Sequence, residues 1–142
     1  MTQFGVILVA VDQSEQSDKA VEVARDLAKL SGGNVHLLHI REHEVVYSRL
    51  GGSFETETKE EVESLLAKEV RVLRGSDVTT TAKVVYARHQ DTARVIVEEA
   101  ENASADVIVM GTRGLSAFGA LMLGSNAYKV LHNSKCPVLV VP

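Results

Sequence analysis

Apolar and polar residues are distributed along the chain in two ways, as continuous apolar runs and as repeats of helical spacing. The runs at residues 4–11, 35–40, 107–110 and 138–141 are typical of strands that a parallel sheet buries on both faces. Residues 78–86 instead alternate between apolar and polar positions, which suits the edge of a sheet better than its centre. The pattern therefore predicts five strands, with the third at a border.

Four helices are predicted between and after these strands from apolar residues spaced three and four apart. Gly32 and Gly75 end the first two helices, and Thr58 with Glu61 forms a capping box at the start of the second. The side-chain oxygens predicted to cap the four helices belong to Ser14 or Ser17, Thr58, Asp91 and Ser125.

The alternation of strands and helices implies right-handed crossovers and an open parallel sheet with helices on both faces. In such α/β sheets a ligand binds beyond the carboxyl ends of the strands, where the connections switch from one side to the other. The local pattern does not fix the strand order, so it does not identify the two strands at this switch.

A glycine-rich loop joins the fourth strand to the fourth helix. Gly111, Gly114 and Gly124 punctuate it, and glycine permits positive φ or the close approach of a ligand to bare backbone. The free amides and the dipole of the following helix favour an anion such as phosphate by roughly 0.3 to 2 kcal/mol. Arg113 either adds a guanidinium group to the phosphate oxygens or is an exposed arginine without that role. Glycine also serves tight turns, so the loop alone is weak evidence.

The spacing within this loop is more specific. Gly111, two residues, Gly114, nine residues, then Gly124 and Ser125 form a pattern by which the chain resembles the ATP-binding branch of the universal stress protein family. The likeness runs from the first strand, with VDQS after it, to the closing CPVLVVP, so it covers essentially the whole chain. It implies a Rossmann-like fold, similar to that of the adenine nucleotide alpha hydrolases, with five parallel strands in the order 3-2-1-4-5. We expect one domain over residues 1–142.

The resemblance also implies an adenine-nucleotide site between strands one and four. Asp12 follows strand one, where family members place an aspartate in the nucleotide site, and its alternative role is a helix cap. Ile40 ends strand two, where related proteins offer backbone and an aliphatic side chain to adenine. The predicted nucleotide-binding residues are Ala10, Val11, Asp12, Ile40, Met110, Gly111, Arg113, Gly114, Gly124, Ser125 and Asn126.

Some residues depart from the family pattern. Gln13 stands where the family usually has glycine, and residues 87–89 occupy a turn that often reads glycine, any residue, proline. Asn126 replaces a small or aliphatic residue. Residues 115–123 contain no Lys or Arg, so phosphate binding would depend on amides, Ser125, Asn126 and Arg113.

Composition and charge limit the binding partners and the cellular compartment that we expect for this protein. The 142 residues, 45% of them hydrophobic, are enough to bury a core. A net charge of −4 without clustered Lys or Arg argues against a nucleic-acid partner. No apolar run reaches the roughly 20 residues of a membrane span, and the N-terminus does not resemble a signal peptide. These features predict a cytoplasmic protein without a nucleic-acid or membrane partner.

The expected function is a stress-response homodimer that binds ATP, and any Mg²⁺ is held by the phosphates. The resemblance implies that the dimer forms through strand Val138–Val141. Two alternatives stay open: a nucleotide-independent interaction protein, and a slow ATPase, against which the absence of an evident general base counts. We predict no catalytic residue and no protein metal site, because the five histidines lack metal-ligand spacing.

Three other features receive structural interpretations. Cys136, the only cysteine, precedes an apolar strand and is expected to be a small buried hydrophobe. The acidic run over residues 55–63 reads as the solvated start of a helix. The connection over residues 41–54 is longer than a typical loop and is either a mobile lid over the adenine side or disordered.

Overall fold

Strands and helices alternate in the computed structural model, which describes residues 3–45, 53–55, 57–112 and 123–142. A short 3₁₀ turn, His89–Asp91, precedes the third helix. None of the helices in these ranges has the length and apolar character that a membrane span requires. The elements are β1 (Val6–Val11), α1 (Glu15–Ser31), β2 (Asn34–Val45), β3 (Ser53–Glu55), α2 (Lys59–Arg74), β4 (Thr80–Arg88), α3 (Thr92–Asn102), β5 (Val107–Gly111), α4 (Ser125–Asn133) and β6 (Val138–Val141).

Five of the strands are parallel and lie in the order β4-β2-β1-β5-β6. Numbered among the parallel strands alone, this is the order 3-2-1-4-5, so the predicted topology is confirmed. Within the described sheet β4 pairs only with β2, which places it at an edge, as its alternating pattern predicted.

The sheet separates two apolar cores. Ile7 and Val9 of β1 pack on the face covered by α1 and α2, whereas Leu8 between them packs on the face covered by α3 and α4. All three side chains are at most 2% exposed. A strand buried on both faces needs apolar residues at consecutive positions, which explains the continuous apolar runs in the sequence.

The connection over residues 41–54 is not the loop that the sequence predicted. β2 continues to Val45, and Ser53–Glu55 forms β3, antiparallel to it. His43 pairs with β4 as well as with β3, so β3 must lie along the β1 side of β2, beyond the carboxyl end of β1. The prediction was wrong for the two ends of this connection, because residues 41–45, REHEV, carry charges that do not indicate a buried strand. The central residues 46–52 lie outside the described ranges.

The predicted helix caps have different outcomes. Ser14 and Thr58 each accept a hydrogen bond from the amide three residues on, at 3.2 and 3.1 Å, so these two caps are confirmed. Asp91 occupies the N-cap position of α3, but its carboxylate accepts from Arg88 Nε at 3.0 Å instead of from a helix amide. The 3₁₀ turn before α3 gives Asp91 a helical backbone, which is not the extended conformation of a side-chain cap.

A pair of carboxyl groups, one of them buried, lies between α1 and α2. Glu69 of α2 is 2% exposed and shares a hydrogen bond with Asp18 of α1. Lys68 Nζ lies 2.8 Å from Asp18 Oδ1 and 3.4 Å from Glu69 Oε1. Burial, together with the hydrogen bond and charge of Asp18, raises the pKa of Glu69 to about 7.

Glu69→Gln should stabilise the protein in alkaline solution. Because the pKa of Glu69 is raised from 4.5 to about 7, its stabilising proton is fully present below pH 4.5 and is lost as pH rises through about 7. The amide of E69Q donates to Asp18 at every pH. We expect its free energy of unfolding in urea to exceed that of the wild type by about 1 to 3 kcal/mol at pH 8.5, and the difference to vanish near pH 5.

Glu63→Gln is the control for this prediction, because Glu63 lies on the same helix with an exposed side chain. It should change the unfolding free energy by less than about 0.5 kcal/mol at both pH values. A stabilisation by E69Q that is the same at both pH values would contradict a proton on Glu69 that is lost as pH rises through about 7.

Candidate functional site

The carboxyl ends of β1, β2 and β5 border a cavity of about 390 Å³. Ligand sites in proteins typically enclose about 300 to 1,000 Å³, so this one can hold a small molecule. β1 leads into α1 on one face of the sheet, and β5 leads into α4 on the other. The cavity therefore lies at the switch point of the sheet.

Nine of the eleven predicted site residues line this cavity. The other two, Arg113 and Gly114, lie outside the described residues. Segments far apart in sequence thus meet in one place, although their role in nucleotide binding stays a prediction. The nine residues are Ala10, Val11, Asp12, Ile40, Met110, Gly111, Gly124, Ser125 and Asn126.

Backbone amides at the start of α4 form one pole of the cavity. Gly124 N donates to the carbonyl oxygen of Thr112, at 2.5 Å, and so connects the end of β5 to the start of the helix. The first helical bond runs from Tyr128 N to Gly124 O at 2.9 Å, so the amides of residues 125–127 have no acceptor within the helix. Nor do they have an acceptor elsewhere in the described part of the chain. This pole favours an anion.

One prediction about this helix start was wrong, and one alternative for its glycine is ruled out. The N-cap is Gly124 and not Ser125, which is the first helical residue, because Gly124 has the extended backbone of a cap. Gly124 also has a φ of −62°, and in the described chain Gly32 alone among the glycines has positive φ. Backbone freedom therefore does not explain glycine at positions 111 and 124. The remaining explanation is the absence of a side chain beside the amides.

An apolar slot extends from this pole toward β2 and α3. Ile40 and Met110 are 8% and 6% exposed and belong to the core between the sheet, α3 and α4. A slot of this kind suits a flat, weakly polar group such as a nucleobase. Its apolar lining consists of Ala10, Leu38, Ile40, Ile96, Met110 and Ala127.

Asp12 also lines this cavity. Its Oδ1 accepts from Ser14 N at 2.8 Å, and its own amide donates to Ser17 Oγ at 2.8 Å. Asp12 thus shapes the turn before α1, which is close to the alternative role considered for it. Its second oxygen, Oδ2, has no hydrogen bond to any described residue, so Asp12 can also accept from a ligand hydroxyl.

Two pairs of glutamate and histidine in the cavity wall were not found from the sequence. Glu42 Oε2 lies 2.6 Å from His89 Nδ1, and Glu42 Oε1 accepts from Thr92 Oγ1 at 2.7 Å. His39 Nε2 lies 2.8 Å from Glu57 Oε1. The partners are 18 to 50 positions apart, so no local spacing could have indicated them.

The position of Glu57 corrects the interpretation of the acidic run. Glu57 precedes α2, and its side chain is 13% exposed, whereas the glutamates at positions 60, 61 and 63 are exposed as predicted. β3 explains the difference, because it carries the chain back over the end of β1 and delivers Glu57 to the cavity.

Metal and thiol chemistry find little support in the described ranges. No group of three His, Cys, Asp or Glu side chains there is arranged to hold a metal ion. Cys136 packs against the core beneath α3 and α4 but is only partly buried, less than the sequence predicted. It does not line the cavity described above.

Comparisons with known proteins agree with this architecture. Residues 3–142 match the model of the universal stress protein family. Universal stress protein YxiE of Bacillus subtilis is 35% identical, over 97% of this chain and 99% of its own, and a universal stress protein of Thermus aquaticus is 35% identical over 97% and 98%. A universal stress protein from Archaeoglobus fulgidus, solved in complex with dAMP, covers 100% of both chains with a TM-score of 0.74 at 24% identity, and so shares the fold.

Ser17→Ala should destabilise the turn that positions Asp12. Ser17 is 3% exposed, and without its hydroxyl the amide of Asp12 loses its acceptor. We expect urea unfolding to show a loss of about 1 to 2 kcal/mol. Ser76→Ala, which removes a half-buried hydroxyl after α2, is the control and should cost less than about 0.5 kcal/mol. Equal losses in the two variants would contradict a specific contribution from the Asp12 contact.

Proposed function

We propose that this chain, which belongs to the universal stress protein family, binds an adenine nucleotide, preferably ATP, in the cavity between β1 and β5. The observation that carries the proposal is the combination of unpaired helix amides with an apolar slot in one cavity. The amides suit an anion and the slot suits a base, and a nucleotide presents both groups in a single molecule.

The charges in the cavity suggest how the nucleotide lies. The wall contains the carboxylates of Asp12, Glu42 and Glu57, which repel phosphate. We therefore place the phosphates beside the amides of residues 125–127, with the ribose hydroxyls near Asp12 and the base beside Ile40. A Mg²⁺ ion held by the phosphates would offset part of their charge facing Asp12.

The choice of ligand has two supports. The Archaeoglobus fulgidus protein in complex with dAMP has the same fold, which supports an adenine nucleotide as the ligand class. The preference for ATP over AMP depends on the three free amides, since they offer donors to more than one phosphate group. Gly114 and Arg113 belong to the same proposed site by their position in the sequence.

Gly124→Val should weaken ATP binding more than it weakens the fold. The backbone at Gly124, with φ −62° and ψ 154°, is one that valine adopts readily, but the new side chain stands beside the first amides of α4. We expect isothermal titration calorimetry to show at least a tenfold higher dissociation constant, or about 1.4 kcal/mol. Asn133→Ala, at the opposite end of the same helix, should leave the affinity unchanged.

A ligand series separates this proposal from its alternatives. Affinity should rise from adenosine to AMP to ATP, because each phosphate adds acceptors for the amides. Equal affinity of the wild type and G124V for ATP would place the site elsewhere. No binding of ATP to the wild type would favour a nucleotide-independent interaction protein. Binding of ATP followed by release of phosphate would instead support a slow ATPase.

We also propose that the protein is a cytoplasmic stress-response homodimer joined through β6. β6 pairs with β5 on one edge, and no other described strand pairs with it. Leu139 in this strand is 40% exposed. An unpaired edge with an exposed apolar side chain favours pairing with a second copy of the chain.

Leu139→Lys should convert the dimer into a monomer, because it places a charge where two apolar edges would meet. Leu30→Lys is a matched control, since Leu30 on α1 is 87% exposed and distant in sequence from β6. Sedimentation velocity at micromolar concentration should show a dimer for the wild type and the control. A monomeric wild type would contradict the proposed interface.

A further inference from the structure

His39 lies between two hydrogen-bond acceptors in the cavity wall. Its Nδ1 is 2.7 Å from the backbone oxygen of Val11, at the end of β1, and its Nε2 is 2.8 Å from Glu57 Oε1. His39 is 2% exposed, and the side chain of Glu57 is 13% exposed. Water therefore has little access to either contact.

The two contacts of His39 together require one more proton than the single N–H proton that a neutral imidazole ring carries. A carbonyl oxygen can only accept, so Nδ1 must donate to Val11. Neutral imidazole has one N–H group, which would leave Nε2 as an acceptor facing a carboxylate oxygen. A contact of 2.8 Å between Nε2 and Glu57 then needs one further proton, either on the ring or on the carboxyl group.

We propose that His39 and Glu57 hold one shared proton and that this proton makes nucleotide binding depend on pH. The second half rests on the nucleotide site proposed above. His39 is a positioning residue in this proposal, since it ties Glu57 to the end of β1. Glu57 Oε2 also accepts from Gln13 Nε2 at 3.1 Å, and the Glu57 backbone oxygen accepts from Arg41 Nη2 at 3.1 Å.

The elements around this pair add other charges. Arg41, which is 8% exposed, donates to the backbone oxygen of Glu57, and the carboxylate of Asp12 lines the same cavity. α1 contributes the uncharged Ser17 to the cavity. Among the described residues, the further titratable groups on the neighbouring elements are Glu42 in β2, Tyr86 in β4, His89 before α3 and Glu61 in α2.

The shared proton sets the charge that a nucleotide meets. With the proton the pair is neutral overall, and without it the pair carries one negative charge in a cavity wall that also contains Asp12 and Glu42. A negative charge in a poorly hydrated wall repels a phosphate-bearing ligand. The affinity for an anionic nucleotide should therefore fall as rising pH removes the proton, and binding should be accompanied by proton uptake.

Nitrogen-15 NMR of the histidine rings tests the proton without any ligand. In Glu57→Gln the side-chain amide can donate to Nε2, so a neutral ring satisfies both contacts. We expect the His39 ring of the wild type to carry protons on both nitrogens, or Glu57 to show a protonated carboxyl carbon signal. The His39 ring of E57Q should carry a proton on Nδ1 alone. A neutral ring beside an ionised Glu57 in the wild type, at every pH at which the protein is folded, would overturn the proposal.

The pH dependence of ATP binding tests the coupling. Above the pH at which the pair loses its proton, the dissociation constant of the wild type should rise by up to about tenfold per pH unit relative to E57Q. The titration of ATP itself affects both proteins equally, so it cancels in the ratio of their dissociation constants. Glu60→Gln, which removes an exposed charge in the first turn of α2, should follow the wild-type profile.

The outcomes separate the two proposals. Parallel pH profiles for the wild type and E57Q would overturn the coupling. If no variant binds ATP, the proposed nucleotide site is wrong and the coupling is wrong with it, while NMR still decides whether the proton is shared.

Discussion

The unpaired amides at the start of α4 are the feature on which the rest of the site depends. Gly124 gives its own amide to Thr112, which holds the helix against the end of β5, and it has no side chain with which to cap the next amides. Residues 125–127 therefore present their N–H groups to the cavity without an acceptor among the described residues. The helix dipole places partial positive charge on these amides, so they favour an anionic ligand or ordered water.

The sheet order determines what surrounds these amides. Because β1 and β5 are neighbours whose following helices lie on opposite faces, a crevice opens between their ends. β2 supplies apolar residues on one face of the sheet and His39 on the other. β3 then carries Glu57 over the end of β1. The cavity is thus acidic on the side away from α4, and one proton between His39 and Glu57 changes its charge.

Local residue patterns predicted the parallel strands, and together with the family resemblance they predicted nine of the 21 described residues that line the cavity. Apolar runs such as that of Ile7 and Val9 indicate buried strands because such strands need apolar residues at every position. The strand order and the functional meaning of the loop came from the family resemblance. The end of β2 was missed because its residues are charged and do not follow an apolar pattern. They form a strand because their backbone pairs with β3 and β4, and local hydropathy does not report that pairing.

The polar contacts in the wall could not be predicted, because each joins residues that only the tertiary structure brings together. Glu42 meets Thr92 across 50 positions, and His39 meets Glu57 across 18. The conformation of Gly124 could not be predicted either, because glycine is compatible with both signs of φ and its identity does not reveal which is used. Arg113 and Gly114 lie outside the described residues, so their roles remain predictions.

Amide NMR during an ATP titration tests the central claim most directly. If phosphate oxygens accept from the start of α4, the amide signals of residues 125–127 should move downfield as ATP is added, while those of residues 131–133 at the other end of the helix stay in place. ATP that binds without moving the signals of residues 125–127, or that does not bind at all, would contradict the account.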